Sequence, residues 1–150
     1  PGKRTPPELI RKHIQPALSW KCRVSFVKNI AKGTPLSYGQ KYVCPKKMRV
    51  ATLCAGYGDG YLTSAHGQAK VIIGDKLCNI LGRITMDQML ADVSRLPSIK
   101  IGDEAILIGH KHNHCITAHQ VAQWAGTIPW ETLSSISHRV PRLYRGTQAA

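Results

Sequence analysis

The chain has 150 residues, 43% of them hydrophobic and 19% charged, which is enough apolar chain for the core of one domain and excludes a disordered polymer. A formal net charge of +13, from 21 Lys+Arg against 8 Asp+Glu, raises nucleic acid as a partner, yet the basic residues are spread along the chain with no run of five. No run of about 18 apolar residues is present to cross a bilayer, and five cysteines without a CxxC pair read as free thiols of a reducing cytoplasm rather than a disulfide framework.

In chain order, residues 1 to 15 combine prolines and basic residues with one short helical turn, and read as a connector leading into a domain at residues 16–150. From Leu18 the pattern changes to period two. Trp20, Cys22, Val24 and Phe26 are expected on one face of a strand, with Lys21, Arg23 and Ser25 on the other. Gly33 and Pro35 then turn the chain. Further strands are predicted in PLSYGQKYV (35–43), MRVATLCAGY (48–57), AKVIIG (69–74), KLCNILG (76–82), MLADVS (89–94) and EAILIG (104–109). Gly74-Asp75 between two of them is a hairpin signal. Thr117 with Gln120 three residues later forms a capping box, opening a helix that ends at Gly126. Pro129 opens a second helix. The fold class is mainly β: a small antiparallel barrel or sandwich with two short C-terminal helices.

Taken singly, the chemistry-bearing stretches are weak signals. His110, His112, His114 and Cys115 are donors that zinc or nickel accepts, but no carboxylate or distant fourth ligand accompanies them, so a solvated hairpin loop and no metal site is the expectation. The glycine-rich AGYGDGYLTSAHG (55–67) lacks the order of a dinucleotide loop and the ending of a P-loop. Arg83 and Asp87 in ILGRITMDQM read as an ion pair across a turn. Tyr38 in TPLSYGQKYV reads, on alternation alone, as a packing residue of a strand.

In series they are specific. QPALSWKCRV, SYGQKY, MRVATLCAGYGDGY, ILGRITMDQM, VAQWAGTIPWE and SHRVPRLY follow one another in an order that closely resembles the C-terminal β domain of the pyridoxal-phosphate-dependent alanine racemase family, over roughly residues 16 to 144. The resemblance implies a two-domain subunit, in which residues 1–15 lead from a (β/α)8 barrel that binds pyridoxal 5'-phosphate. It also implies a cytoplasmic head-to-tail homodimer that interconverts L- and D-alanine for the cell wall, with each active site completed by the β domain of the opposite subunit. Tyr38 of SYG is then the catalytic tyrosine. Tyr57 of GYGDGY lines the substrate entrance, and Met86 of MDQ offers a backbone N–H to the substrate carboxylate. Trp130 stands where the family usually has a tyrosine that contacts the cofactor phosphate; an indole N–H donates but does not accept. Leu62 and Thr85 also depart from the usual pattern, replacing a proline and a small or thiol residue.

The chemistry accounts for this division. Racemisation removes a proton from one face of Cα and delivers one to the other, with the cofactor as electron sink. Two acid–base groups are therefore needed, and an unperturbed lysine or tyrosine titrates too high to serve well near neutrality. In the family the first is a barrel lysine, which this sequence does not contain, so the 150 residues alone are expected to be inactive. Two alternatives differ in kind: a racemase of serine or another small amino acid, and a stand-alone basic β domain binding nucleic acid or a protein partner, which would show steep salt dependence.

Overall fold

The computed structural model describes residues 16 to 145; the connector expected at 1–15 lies outside the described residues. Nine strands carry the fold. They are β1 (Trp20–Ile30), β2 (Pro35–Leu36), β3 (Tyr42–Val43), β4 (Met48–Leu53), β5 (Lys70–Ile73), β6 (Lys76–Leu81), β7 (Met89–Asp92), β8 (Glu104–Lys111) and β9 (His114–Ile116). Two helices follow, α1 (Ala118–Ala125) and α2 (Pro129–Ser134).

The main sheet runs β1-β4-β7-β6-β5-β8 with every pair antiparallel, and β8 pairs back onto β1. The expected mainly-β fold is therefore a closed barrel rather than a sandwich, and closure removes the free edges that an open sheet would expose. Strand β1 makes closure possible because it serves two neighbours in turn. Trp20–Arg23 pair with Ile108–Glu104 of β8, and Val24–Ile30 pair with Leu53–Met48 of β4.

Between these halves the expected alternation fails. Val24 faces Leu53 and Phe26 faces Thr52, so β1 carries one extra residue, a β-bulge at Ser25. The bulge shifts every later side chain to the opposite face. Phe26, expected inside, is 52% exposed, and Val27 packs on the core in its place.

The Gly74-Asp75 hairpin forms as expected, with Gly74 at φ 60° and Ile73 opposite Lys76, the II′ pattern that matches strand twist. His110 lies opposite Cys115 and Lys111 opposite His114 in the β8–β9 hairpin, whose turn contains His112 at φ 50°. The capping box is present in both directions: Gln120 N–H donates to Thr117 Oγ1 at 3.1 Å, and Thr117 N–H donates to Gln120 Oε1 at 2.8 Å. Gly126 closes α1 at φ 70°, and Pro129 opens α2.

Val24, Leu53, Val71, Ile73, Met89 and Leu107 belong to the large apolar cluster of the barrel. Strands β5 and β8 are buried on both faces, and Val121 of α1 joins the same cluster. A second, smaller cluster gathers Leu36, Cys44, Met48, Val50 and Leu81. Burying each such side chain contributes about 1.5–3 kcal/mol, so this cluster pins the β2–β3 ribbon onto β4 and β6. That ribbon carries the SYG segment. Among the described residues no helix is long and apolar enough to cross a membrane.

Candidate functional site

The SYG segment is not the strand expected from its alternation. Pro35–Leu36 and Tyr42–Val43 pair with each other, and the residues between them form a short 3-10 turn, Tyr38–Gln40. Ser37 stands at φ 62° and ψ 179°, a region occupied almost only by glycine, and Gly39 and Gln40 also have positive φ. Alternation missed this because three left-handed residues reverse the chain within the stretch. The strained conformation is held from both sides. Ser37 Oγ donates to the Arg83 carbonyl at 2.7 Å, and a Cβ added at Gly82 would sit 2.7 Å from Ser37 Cβ, so only glycine lets the two segments meet. The result is a phenol, Tyr38, that is 67% exposed on a fixed turn.

The GYGD and MDQ segments lie face to face. Tyr57 N–H donates to the Thr85 carbonyl at 3.0 Å, and Gly58 N–H donates to the Met86 carbonyl at 2.8 Å. All peptides described are trans, and a trans peptide carries its C=O and N–H on opposite sides. The Thr85 carbonyl points at Tyr57, so the Met86 N–H points away from the loop, and among the described residues it donates to no acceptor. Two glycines permit this approach. A Cβ at Gly56 would fall 2.1 Å from the Thr85 carbonyl oxygen, and one at Gly58 would fall 2.3 Å from Arg139 Nη1. Within the loop, Asp59 Oδ2 accepts the Gly56 N–H at 3.0 Å. Ser135 Oγ at the end of α2 donates to the Gly60 carbonyl at 2.8 Å. Tyr61 is turned into the core, its ring 5.8 Å from that of Trp20, and burial pushes its phenol far up. Its hydroxyl is buried and has no hydrogen-bond partner among the described residues.

Arg139 crosses this pair of segments. Its Nη2 donates to Asp87 Oδ1 at 2.6 Å, and its Nε lies 3.5 Å from Asp59 Oδ1. The ion pair expected between Arg83 and Asp87 is thus corrected: Asp87 turns to an arginine 52 residues further on, a partner that local spacing gave no means of finding. Arg83 instead lines an open surface depression with Tyr38, Tyr57, Thr63, Ser64 and His66. The fold therefore brings Tyr38 and Tyr57 to one rim, with the half-exposed Met86 next along the MDQ segment. Trp130 is 74% exposed on α2 and does not line that depression.

The depression is lined by two phenols, an imidazole, a guanidinium and two hydroxyls, and the outward Met86 amide lies on the segment hydrogen-bonded to Tyr57 and Gly58. It contains no lysine, and the one residue expected toward a phosphate, Trp130, offers a single N–H from an exposed helix surface. These residues do not form a cradle for pyridoxal phosphate.

A closed antiparallel barrel that presents a tyrosine on a strained turn beside a glycine loop defines the class of domain. The chain matches the family model for the alanine racemase C-terminal domain over residues 17–144, and it belongs to that family. It is 40% identical over 140 residues to the alanine racemase of Methylacidiphilum infernorum, covering 93% of this chain and 36% of the relative. With the alanine racemase of Clostridium perfringens it shares 43% over 143 residues, covering 93% of this chain and 37% of the relative. Among solved structures, the alanine racemase from Streptomyces lavendulae superposes with a TM-score of 0.85 at 34% identity, covering 91% of this chain and 36% of that one. The Bacillus anthracis alanine racemase with bound L-Ala-P gives 0.84 at 33%, covering 97% and 38%. The chain spans a little over a third of the length of these relatives.

Proposed function

We propose that this chain is the C-terminal domain of a pyridoxal-phosphate-dependent alanine racemase, and that it supplies one acid–base group and the carboxylate contact to the active site of the opposite subunit in a homodimer. The observation that carries this reading is the rim shared by Tyr38 and Tyr57, with Tyr38 held in place by the strained Ser37. Strain of this kind costs about 1–3 kcal/mol and persists where the surroundings over-determine it. A packing tyrosine would gain nothing from it.

In this reading Tyr38 Oη moves a proton at one face of the substrate Cα, while the group serving the other face belongs to the preceding domain. The cofactor, when bound by that domain, supplies the electron sink that makes the Cα proton removable. The Met86 N–H, already turned outward by the Thr85–Tyr57 hydrogen bond, donates to the substrate carboxylate without having to reorganise. Tyr57 walls the approach. The product would be D-alanine for the cell wall, made in the cytoplasm.

The test is turnover of the full-length protein on L-alanine and on L-serine, alongside the 150-residue chain. The full-length protein is expected to racemise L-alanine in preference to L-serine, and the chain alone to be inactive and to show no cofactor absorbance. Racemisation by the isolated chain would overturn the division of labour. Preference for L-serine would overturn the substrate.

A further inference from the structure

We infer that Arg139 is a positioning residue, which sets the Met86 amide for a carboxylate-bearing substrate by clamping the MDQ segment against the GYGD loop through Asp87 and Asp59. The enzymatic half of this inference rests on the racemase reading above; the structural half does not.

The clamp has three parts. The first is the pair of hydrogen bonds from Tyr57 and Gly58 to Thr85 and Met86, which fixes two successive peptides of the MDQ segment. Those bonds lie at the surface, where a neutral hydrogen bond is worth only about 0.5–1.5 kcal/mol net. Two such bonds do not by themselves hold an exposed segment still. The second part is the guanidinium, which lies against Gly58, where a Cβ would meet Nη1 at 2.3 Å and Met86 Cγ at 3.2 Å. From there it reaches a carboxylate on each segment, Asp59 on the loop and Asp87 on MDQ. Without it, the two carboxylates would lose the cation they share. The third part is the footing of Arg139. Ser137 N–H donates to the Asp59 carbonyl at 3.0 Å, and Val140 packs against the barrel core.

Arg139 does not line the depression that holds Tyr38 and Tyr57, so it has no direct contact to offer a substrate there. Tyr38 hangs on a different link, the Ser37 to Arg83 bond. The Arg139 link acts at Asp87 and the Ser37 link at Arg83, so the two are distinct. Disturbing Arg139 displaces the carboxylate donor and leaves the proton-transfer group in place. A contact made equally in ground and transition states affects KM rather than kcat.

Arg139→Gln and Arg139→Lys test this in two measurements. In the 150-residue chain, amide hydrogen exchange at Tyr57 and Gly58 is expected to quicken about tenfold in both variants, while the amides of β4 and β5 keep their protection. Lysine keeps the charge but lacks the fork that spans two carboxylates, so it is expected not to rescue. Unchanged exchange at Gly58 in Arg139→Gln, or full rescue by lysine, would overturn the clamp. Should Arg139→Gln fail to fold, Asp87→Asn reads the same contact at a carboxylate that is 60% exposed. In the full-length protein, Arg139→Lys is expected to raise KM for alanine about tenfold with kcat within about twofold. A fall in kcat at constant KM would overturn the assignment. A wild-type protein without racemase activity would overturn the reading under Proposed function, and the exchange result would still decide the clamp.

Discussion

Ser37 donates its side-chain hydroxyl to the backbone carbonyl of Arg83 at 2.7 Å while its own backbone occupies a conformation that side chains rarely adopt. That one hydrogen bond ties the turn that presents Tyr38 to the segment that leads into Met86. It links two regions 46 residues apart in sequence, and it explains why a short ribbon off the barrel can hold an exposed phenol in a fixed place.

Tyr38→Phe is expected to lower kcat of the full-length protein by about 10²–10⁴-fold, the range for loss of a general acid or base. Because Tyr38 is largely exposed, unfolding free energy of the chain is expected to change by no more than about 0.5 kcal/mol. Subunit mixing adds a geometric check. If Tyr38 serves the opposite subunit, an equal mixture of Tyr38→Phe subunits with subunits lacking the barrel lysine regains about a quarter of wild-type activity, since half the dimers are mixed and each has one intact site. No recovery on mixing would place Tyr38 in its own subunit's site.

Gly56→Ala and Gly67→Ala separate crowding from backbone preference. At Gly56 the new methyl would lie 2.1 Å from a backbone oxygen that cannot step aside, and a loss of about 3 kcal/mol is expected. Gly67 has φ +81° and open space around it, so only the left-handed penalty of about 1–2 kcal/mol applies. Urea unfolding of the two variants checks the order; equal losses would refute the close approach of the GYGD and MDQ segments.

Tyr61→Phe removes a buried hydroxyl that has no partner among the described residues. Deleting such a group leaves ring packing against Trp20 intact and is expected to be neutral or to stabilise by about 1 kcal/mol. Tyr61→Ala is expected to cost about 3–5 kcal/mol, as for other large aromatic truncations in cores. A clear destabilisation by phenylalanine would mean that the hydroxyl is satisfied in solution.

Alkaline pH should weaken the fold in a defined window. Burial pushes the Cys22 thiol up to about 12 and the Cys78 thiol up to about 11, from an ordinary 9.0. The unfolded chain therefore gives up these protons first and binds fewer of them. Stability present below pH 9 is lost progressively as pH rises toward 11 and 12. Denaturation midpoints measured from pH 8 upward are expected to fall, and the slope is expected to flatten in Cys22→Ala/Cys78→Ala. An unchanged slope in that double variant would rule the thiols out.

How far the sequence could be read depended on whether the cause was local. The Gly74-Asp75 hairpin, the Thr117–Gln120 capping box and the Pro129 helix start are each decided within four residues, and each formed where local chemistry placed it. The bulge at Ser25 was invisible because alternation assumes a regular ladder, and nothing in LSWKCRVSFVKNI marks the extra residue. Arg49 is a similar case. Nothing around it in sequence marks its partners, yet its guanidinium donates to the carbonyls of Leu96, Pro97 and Ile99 and fastens that loop to the barrel. At the site, the ordered motifs pointed to Tyr38, Tyr57 and Met86, and the fold gathers these along one region of the surface. Trp130 stands apart from the depression, and Arg139 was missed because its role depends on two carboxylates contributed by two distant loops.

The position of Arg139 in the chain has a consequence for biosynthesis. Chains are made from the N-terminus, and domains begin to organise as they emerge. β8 closes onto β1 through Glu104–Ile108, whereas Asp59 and Asp87 receive their shared cation only when residue 139 has been added. A nascent chain thus passes through a stage in which the barrel strands can pair while Asp59 and Asp87 still lack their shared cation.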